Sequence, residues 1–148
     1  MFKTILVAID GSDQSSKVLE LASGVARSGA TAGRLHLVCV VDPAYAVADC
    51  ETRFARQEYP AAASEQQHAE GLIATALDGL RQQGIECSAT TPRGGNPAEA
   101  ICEEASRIGS DLIVIGHRHL SLLGRLLDPS VGSRVLDGAP CPVLVEVR

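Results

Sequence analysis

Two short stretches of small and polar residues each follow an aliphatic run, and both could contact a ligand. Asp10-Gly11-Ser12 follows the run at 4–9, and Gly116 closes the run at 111–115. The Asp10 carboxylate can accept hydrogen bonds from an amine or a sugar hydroxyl, and Gly116 has no side chain to keep a ligand from the backbone. Each residue also has a simpler interpretation: Asp10 can brace its own loop, and Gly116 can serve a tight exit turn.

The segment after Gly116 is cationic. Its basic side chains are those of His117, Arg118, His119 and Arg125. Such side chains can bind phosphate, and Arg118, His119 and Arg125 are candidate anion contacts. The alternative is a solvated loop whose charges bind nothing. A metal site at His117 and His119 is disfavoured, because no further ligand follows at a suitable spacing.

Periodicity divides the chain into alternating strands and helices. Continuous aliphatic runs predict buried strands of a parallel sheet, and apolar residues spaced by three and four predict amphipathic helices. The predicted strands are 4–9, 35–41, 85–91, 111–116 and 142–147, and the predicted helices are 13–28, 61–83, 96–109 and one from near Ser130. The connection at 43–60 has no regular pattern. We therefore predict a single α/β domain over 1–148, with a doubly wound five-stranded parallel sheet.

Local signals fix several details of these elements. Asn96 and Pro97 are typical of a helix start, with Asn as the cap and Pro in the first turn. Gly84 is expected to end the second helix. The strand at 85–91 is polar and alternating, which is typical of a sheet edge. His36 lies inside the second strand and is interpreted as a packed or surface histidine.

The composition excludes several classes of function. Of 148 residues, 45% are hydrophobic but only 3% are aromatic, and the formal net charge is −5. A negative chain with few aromatic side chains is a poor binder of nucleic acid. The five cysteines have no CxxC spacing, which disfavours a disulfide framework or a thiolate zinc site. No apolar run approaches the ~18 residues of a membrane span, and we expect a cytoplasmic protein without membrane partners.

The sequence also lacks the common enzyme motifs. There is no GxxxxGK[ST] loop and no GxGxxG after the first strand. There is no GxSxG nucleophile elbow either. We therefore predict that the chain is not an enzyme and has no catalytic residues.

Four segments together resemble the universal stress protein family. They are 3–12 (KTILVAIDGS), 95–101 (GNPAEAI), 111–116 (DLIVIG) and 138–145 (GAPCPVLV). They span the whole chain in the order typical of that family. The resemblance implies the strand order 3-2-1-4-5, with an adenine nucleotide alpha hydrolase-like (HUP-type) topology. It also implies a homodimer formed through the fifth strand, at Val143, Leu144, Val145 and Val147.

The strand order determines where a ligand is expected. In an open parallel sheet, ligands lie beyond the carboxyl ends of the strands, where the order reverses. In the order 3-2-1-4-5 that point lies between strands 1 and 4, which end at Asp10 and Gly116. The resemblance implies that Asp10 and Val40 contact adenosine, and that Gly116, Ser130 and Val131 contact ribose or phosphate.

The family has an ATP-binding branch and a branch that does not bind ATP, and one loop distinguishes them. The ATP-binding members carry Gly-x2-Gly-x9-Gly-Ser/Thr. In this chain Gly116 and Ser130 match, but His119 and Pro129 stand where the second and third glycines are expected. Pro129 has no N–H to offer a phosphate, and a non-glycine residue is strained wherever a turn needs positive φ.

Two hypotheses therefore remain open. The first is a stress-response regulatory domain that binds ATP, ADP or AMP with a degenerate phosphate loop, and no metal beyond nucleotide-bound Mg. The second is a dimeric interaction protein of the same family that binds no nucleotide.

Overall fold

The computed structural model describes residues 1–9, 14–40, 60–92, 96–116 and 130–147; at 14, 60–66 and 130–133 it describes the backbone alone. Strands and helices alternate along these residues, as predicted. They are β1 (Thr4–Ile9), α1 (Gln14–Arg27), β2 (Arg34–Cys39), α2 (Pro60–Gln82), β3 (Cys87–Thr90), α3 (Pro97–Ile108), β4 (Leu112–Gly116), α4 (Ser130–Gly138) and β5 (Val143–Glu146). The predicted irregular connection at 43–60 lies outside the described residues, except for Pro60, which begins α2.

The strands form one parallel sheet in the order β3-β2-β1-β4-β5. This confirms the predicted order and the doubly wound topology. The chain runs outward from β1 to β2 and β3, and then returns to the other side of β1 for β4 and β5. The order therefore reverses between β1 and β4, which pair from Ile5–Leu112 to Val7–Val114.

Side chains of β1 point alternately to the two faces of the sheet. Ile5, Val7 and Ile9 enter the core under α1 and α2, whereas Leu6 and Ala8 enter the core under α3 and α4. The helices complete the first core with Val18, Ala22, Ala26, Ala69, Ile73 and Leu80, and the second with Ala98, Ile101, Ala105 and Val135. Burial on both faces explains why β1 is aliphatic throughout.

Helix α3 begins and ends as the sequence predicts. The Ala98 N–H donates to the Asn96 side-chain oxygen over 2.9 Å, and Pro97 occupies the first turn. At the other end, Gly109 adopts a left-handed φ of 62°, which a residue without Cβ does at little cost. These signals place the buried face of α3 on the sheet.

The third strand is shorter than predicted, at Cys87–Thr90 instead of 85–91. Gly84 adopts a positive φ of 71°, and the Ile85 N–H then donates to the Leu80 carbonyl over 3.0 Å. Ile85 therefore belongs to the turn that ends α2. The second strand also ends early, at Cys39 rather than at 41.

Helix α2 is the longest helix in the described part, with 23 residues. No helix among the described residues combines the length and apolarity that a bilayer crossing requires. Among the described residues no disulfide joins any two of Cys39, Cys87, Cys102 and Cys141.

Two polar residues join the amino ends of β1 and β4. The Asp111 carboxylate accepts the backbone N–H groups of Lys3 and Thr4 over 2.8 and 3.1 Å. The buried hydroxyl of Ser110 accepts the Leu6 N–H over 3.2 Å. These contacts fix the register of the two strands on which the predicted site depends.

Candidate functional site

The reversal point of the sheet holds one predicted site residue that the structure describes, Gly116. β1 ends at Ile9, one residue before Asp10, and β4 ends at Gly116. Gly116 is buried and pairs in register with Glu146 of β5. A ligand at this edge could approach the Gly116 backbone closely, since no Cβ stands in the way.

Three further predicted residues lie on elements that reach the same edge. Val40 directly follows β2 and is half-buried against the core under α3 and α4. Ser130 and Val131 begin α4, which runs back from the carboxyl end of β4 toward the start of β5. The amino end of α4 therefore lies at the carboxyl edge, where a helix favours anions.

The remaining predicted contacts lie outside the described residues. These are Asp10, Arg118, His119 and Arg125. The contacts of the site residues with adenosine, ribose and phosphate therefore stay predictions. Among the residues that the structure does describe, no three His, Cys, Asp or Glu side chains are grouped as metal ligands.

A second polar group lies on the other half of the sheet, and the sequence did not predict it. We call it the His36 cluster: His36 of β2, Ser88 and Thr90 of β3, and Glu104 and Arg107 of α3. His36 Nδ1 lies 2.8 Å from Ser88 Oγ, and Nε2 lies 2.7 Å from Glu104 Oε1 and 3.1 Å from Thr90 Oγ1. His36 and Glu104 are each 7% exposed. Of the two interpretations of His36, as a packed or as a surface histidine, the structure supports the packed one.

Glu104 is the anionic centre of this cluster. Arg107 holds its carboxylate with two bonds, from Nε to Oε2 over 2.7 Å and from Nη2 to Oε1 over 2.6 Å. Hydrogen bonds from Arg107, Thr90 and His36 outweigh the cost of burial and lower the pKa of Glu104 to about 2. The same ion pair raises the pKa of Arg107. Glu104 is therefore ionised at neutral pH.

The His36 cluster borders an open groove of about 460 Å³. Its walls include the cluster residues His36, Ser88, Thr90 and Arg107, together with Arg34 and Glu86. The groove lies beside the starts of β1, β2 and β3 and the end of α3, so it is at the amino half of the sheet. The reversal point is at the opposite, carboxyl edge.

One signal in the sequence could have indicated this cluster. Glu104 lies three residues after Ile101 and one before Ala105, on the apolar face of a helix, where an unpaired carboxylate would be costly. A polar partner on the sheet was therefore to be expected. Identifying His36, Ser88 and Thr90 as that partner required the register of β2 on β3, in which His36 lies beside Ser88.

The fold is a doubly wound α/β domain around a five-stranded parallel sheet. The model of the universal stress protein family matches residues 1–148. The chain belongs to the universal stress protein family, as the resemblance implied.

Curated relatives agree over nearly the full length. A universal stress protein of Thermus aquaticus, from the QAH/OAS sulfhydrylase 3' region, is 35% identical over 146 residues, covering 98% of this chain and 98% of the relative. The universal stress protein Sll1654 of Synechocystis is 32% identical, covering 98% of this chain and 85% of the relative.

Solved structures share the fold. The hypothetical protein MJ0577 superposes with a TM-score of 0.78 at 24% identity, covering 100% of this chain and 97% of that one. A universal stress protein in complex with cAMP gives 0.68 at 24% identity over 97% and 96% of the two chains. A universal stress protein of Archaeoglobus fulgidus in complex with dAMP gives 0.65 at 23% identity over 97% and 96%.

Proposed function

We propose that this chain is a regulatory stress-response domain that binds an adenine nucleotide at the carboxyl ends of β1 and β4. The observation that carries the proposal is the position of Gly116: it ends β4 beside β1, where the strand order reverses. Open parallel sheets bind ligands at this point. Asp10 and Val40 would contact the adenosine, and Ser130 and Val131 would offer the amino end of α4 to a phosphate.

The phosphate loop favours a ligand with few phosphates. His119 and Pro129 replace two glycines of the family motif: Pro129 has no backbone N–H to offer a triphosphate, and His119 adds a side chain where glycine has none. Arg118, His119 and Arg125 would compensate as side-chain contacts. Solved relatives hold cAMP and dAMP, each with one phosphate. We therefore place AMP ahead of ADP and ATP, whose extra phosphates would bring Mg²⁺ with them.

A thermal-shift series with adenosine, AMP, ADP and ATP, followed by calorimetry, tests the proposal. Ligand at a hundred times its Kd stabilises the folded state by about 2.7 kcal/mol, and we expect this for AMP. Gly116→Val puts a side chain where the ligand approaches and should abolish the shift. The matched control is Gly24→Val on α1, where an added Cβ meets nothing within 4 Å.

The control variant should keep the wild-type response, and circular dichroism should show that both variants fold. Absence of stabilisation by every adenine nucleotide at millimolar concentration would overturn the proposal. So would an unchanged AMP response in folded Gly116→Val.

The second candidate function is a dimeric interaction protein that binds no nucleotide. The observation in its favour is the same pair of residues, His119 and Pro129, in place of glycines. On this hypothesis the double substitution His119→Gly with Pro129→Gly creates ATP binding where the wild type has none. If the folded double variant still binds no ATP, the loss of these glycines is not what prevents ATP binding.

A homodimer through β5 fits both functions. Val143, Leu144 and Val145 are half-buried, and Val147 is 63% exposed. β5 pairs with β4 on one side, and a second copy pairing on the other side would cover this apolar edge. Light scattering after size exclusion should give twice the mass of the chain; a monomer at micromolar concentration would refute the dimer.

At the reversal point the domain would bind the nucleotide without turning it over. The protein would act in the cytoplasm. The sequence brings no recognised catalytic motif to that edge. A steady-state ATP hydrolysis activity that Asp10→Ala removes would contradict this part of the proposal.

A further inference from the structure

The His36 cluster contains a serine, an imidazole and a carboxylate in hydrogen-bonded sequence. Ser88 Oγ lies 2.8 Å from His36 Nδ1, and His36 Nε2 lies 2.7 Å from Glu104 Oε1. The imidazole and the carboxylate are buried, whereas Ser88 is exposed. This is the arrangement of nucleophile, base and orienting carboxylate that activates a serine.

The partners of His36 determine which ring nitrogen carries the proton. Glu104 is ionised and can only accept, so the nitrogen facing it, Nε2, must donate. In the neutral imidazole Nδ1 then has the free lone pair, and the Ser88 hydroxyl donates to it. In its neutral form the imidazole therefore takes the tautomer that can remove a proton from Ser88.

We propose that Ser88 is an activated nucleophile that accepts acyl groups from small activated esters in the groove beside β3. In the acylation step Ser88 Oγ bonds to the ester carbonyl carbon while its proton moves to His36 Nδ1. The bond to the leaving alcohol then breaks, and His36 returns the proton to that oxygen. In the second step His36 Nδ1 takes a proton from a water molecule, whose oxygen bonds to the acyl carbon. The bond from that carbon to Ser88 Oγ then breaks, and His36 returns the proton to Oγ, which regenerates Ser88 and yields a carboxylic acid.

The groove supplies charge for the oxyanion of this step. The Leu35 N–H donates to the Glu86 carbonyl, and peptide groups alternate in direction along a strand. The N–H of Ala89, the residue after the nucleophile, therefore points away from β2. Ala89, Arg34 and Arg107 all line the groove, and N–H donors of this kind stabilise a developing oxyanion.

Groove size and charge define the substrate class. A volume of about 460 Å³, open to solvent, fits a short acyl group better than a long lipid chain. Arg34 and Arg107 line the groove, but so does Glu86, and Arg107 is paired with Glu104, so an acyl donor without a net charge fits this groove best. The groove lies at the amino half of the sheet, so this chemistry is independent of the nucleotide proposed at the carboxyl edge.

The experiment treats the full chain with p-nitrophenyl acetate and maps acetylated residues by peptide mass spectrometry, together with the release of p-nitrophenolate. We expect one acetyl group on Ser88 in the wild type. Ser88→Ala should lose it. His36→Gln should slow acetylation of Ser88 by roughly a hundred-fold or more, the usual contribution of a positioned general base.

Two matched controls exclude general surface reactivity. Ser106→Ala removes an exposed serine on α3 that donates to the Cys102 carbonyl over 3.0 Å instead of to an imidazole. His68→Gln removes an exposed histidine on α2. Both variants should acetylate Ser88 at the wild-type rate.

Glu104 acts through His36 and is a positioning residue. Glu104→Gln should slow acetylation less than His36→Gln does, and imidazole added to His36→Gln should restore part of the rate.

Acetylation confined to lysines and the amino terminus would overturn the proposal. So would Ser88 acetylation at an unchanged rate in folded His36→Gln, because the cluster would then only fasten α3 to the sheet. Melting curves of each variant distinguish loss of the nucleophile from loss of the fold.

Discussion

The two faces of the sheet use the same strands but bury them differently. Under α1 and α2 the face is apolar across its width, with Leu35 and Leu37 of β2 fully buried. Under α3 and α4 the face is apolar over β1 and β4, but over β2 and β3 it carries the His36 cluster. His36 and Val38 point to this second face from alternate positions of the same strand.

This difference shows how a helix can be held on a part of the sheet where apolar packing does not reach. The apolar face gains stability in proportion to buried area, without direction. The His36 cluster instead fixes α3 through bonds whose partners must all be present, since a buried group left unpaired is costly. Substitutions on the first face should therefore lower the stability of the protein by removing buried volume. Substitutions on the second face should lower it by removing charge, and this effect should depend on pH.

The largest effect is expected on the apolar face. Leu37→Ala leaves a cavity at a residue with 0% exposure and should cost about 3 kcal/mol in the free energy of unfolding. Urea unfolding measures it, and the cost should be the same at pH 7 and pH 4. Leu136→Ala, at a residue 53% exposed on α4, is the control and should stay within about 0.5 kcal/mol of wild type. A cost below 1 kcal/mol for Leu37→Ala would contradict this.

The second largest effect on the free energy of unfolding is expected on the face that carries the His36 cluster, and it should depend on pH. The pKa of Glu104 is about 2 in the folded state against about 4.3 in an unfolded chain. Its contribution is therefore complete above about pH 5 and is lost as the pH falls toward 2. Glu104→Gln should cost about 2 kcal/mol at pH 7 and flatten this acid-side slope.

Urea unfolding between pH 7 and pH 2 measures the slope. Glu103→Gln removes the neighbouring exposed carboxylate of α3 and is the matched control, with the wild-type slope expected. Equal slopes in Glu104→Gln and in the wild type would show that the cluster does not hold α3 through charge.

The smallest effect is expected at the outer rim of the same cluster. Ser88→Ala removes an exposed hydroxyl, and water can take its place at His36 Nδ1. The free energy of unfolding should fall by less than about 1 kcal/mol. A loss above 2 kcal/mol would mean that Ser88 serves stability.

Much of the fold follows from the sequence because local signals agree with the tertiary structure. The aliphatic run of β1, the cap at Asn96 and the glycine after α3 each act over a few residues. The start of β3 was predicted wrongly because Gly84 draws Ile85 into the turn that ends α2. The polar, alternating pattern at 85–91 does not distinguish that turn from a strand.

Only part of the site could be predicted from the sequence in the same way. The reversal-point edge follows from strand order, and Gly116 lies there. The His36 cluster could not be derived, because it joins residues 52 and 68 positions apart in sequence. Ser88 and Thr90 were interpreted as marks of a sheet edge, which is right for β3 but omits their hydrogen bonds.

The contacts of Asp111 with Lys3 and Thr4 have a consequence for how the chain is made. They join residues 108 and 107 positions apart. β1 lies in the middle of the sheet between β2 and β4, and β4 is the fourth strand to be synthesised. While a ribosome makes the chain, β1 can pair with β2 early, but its other edge stays bare until β4 emerges. An aliphatic strand with an open edge is prone to pairing with other chains. Nascent chains that stall between β3 and β4 should therefore be the ones that most need a chaperone.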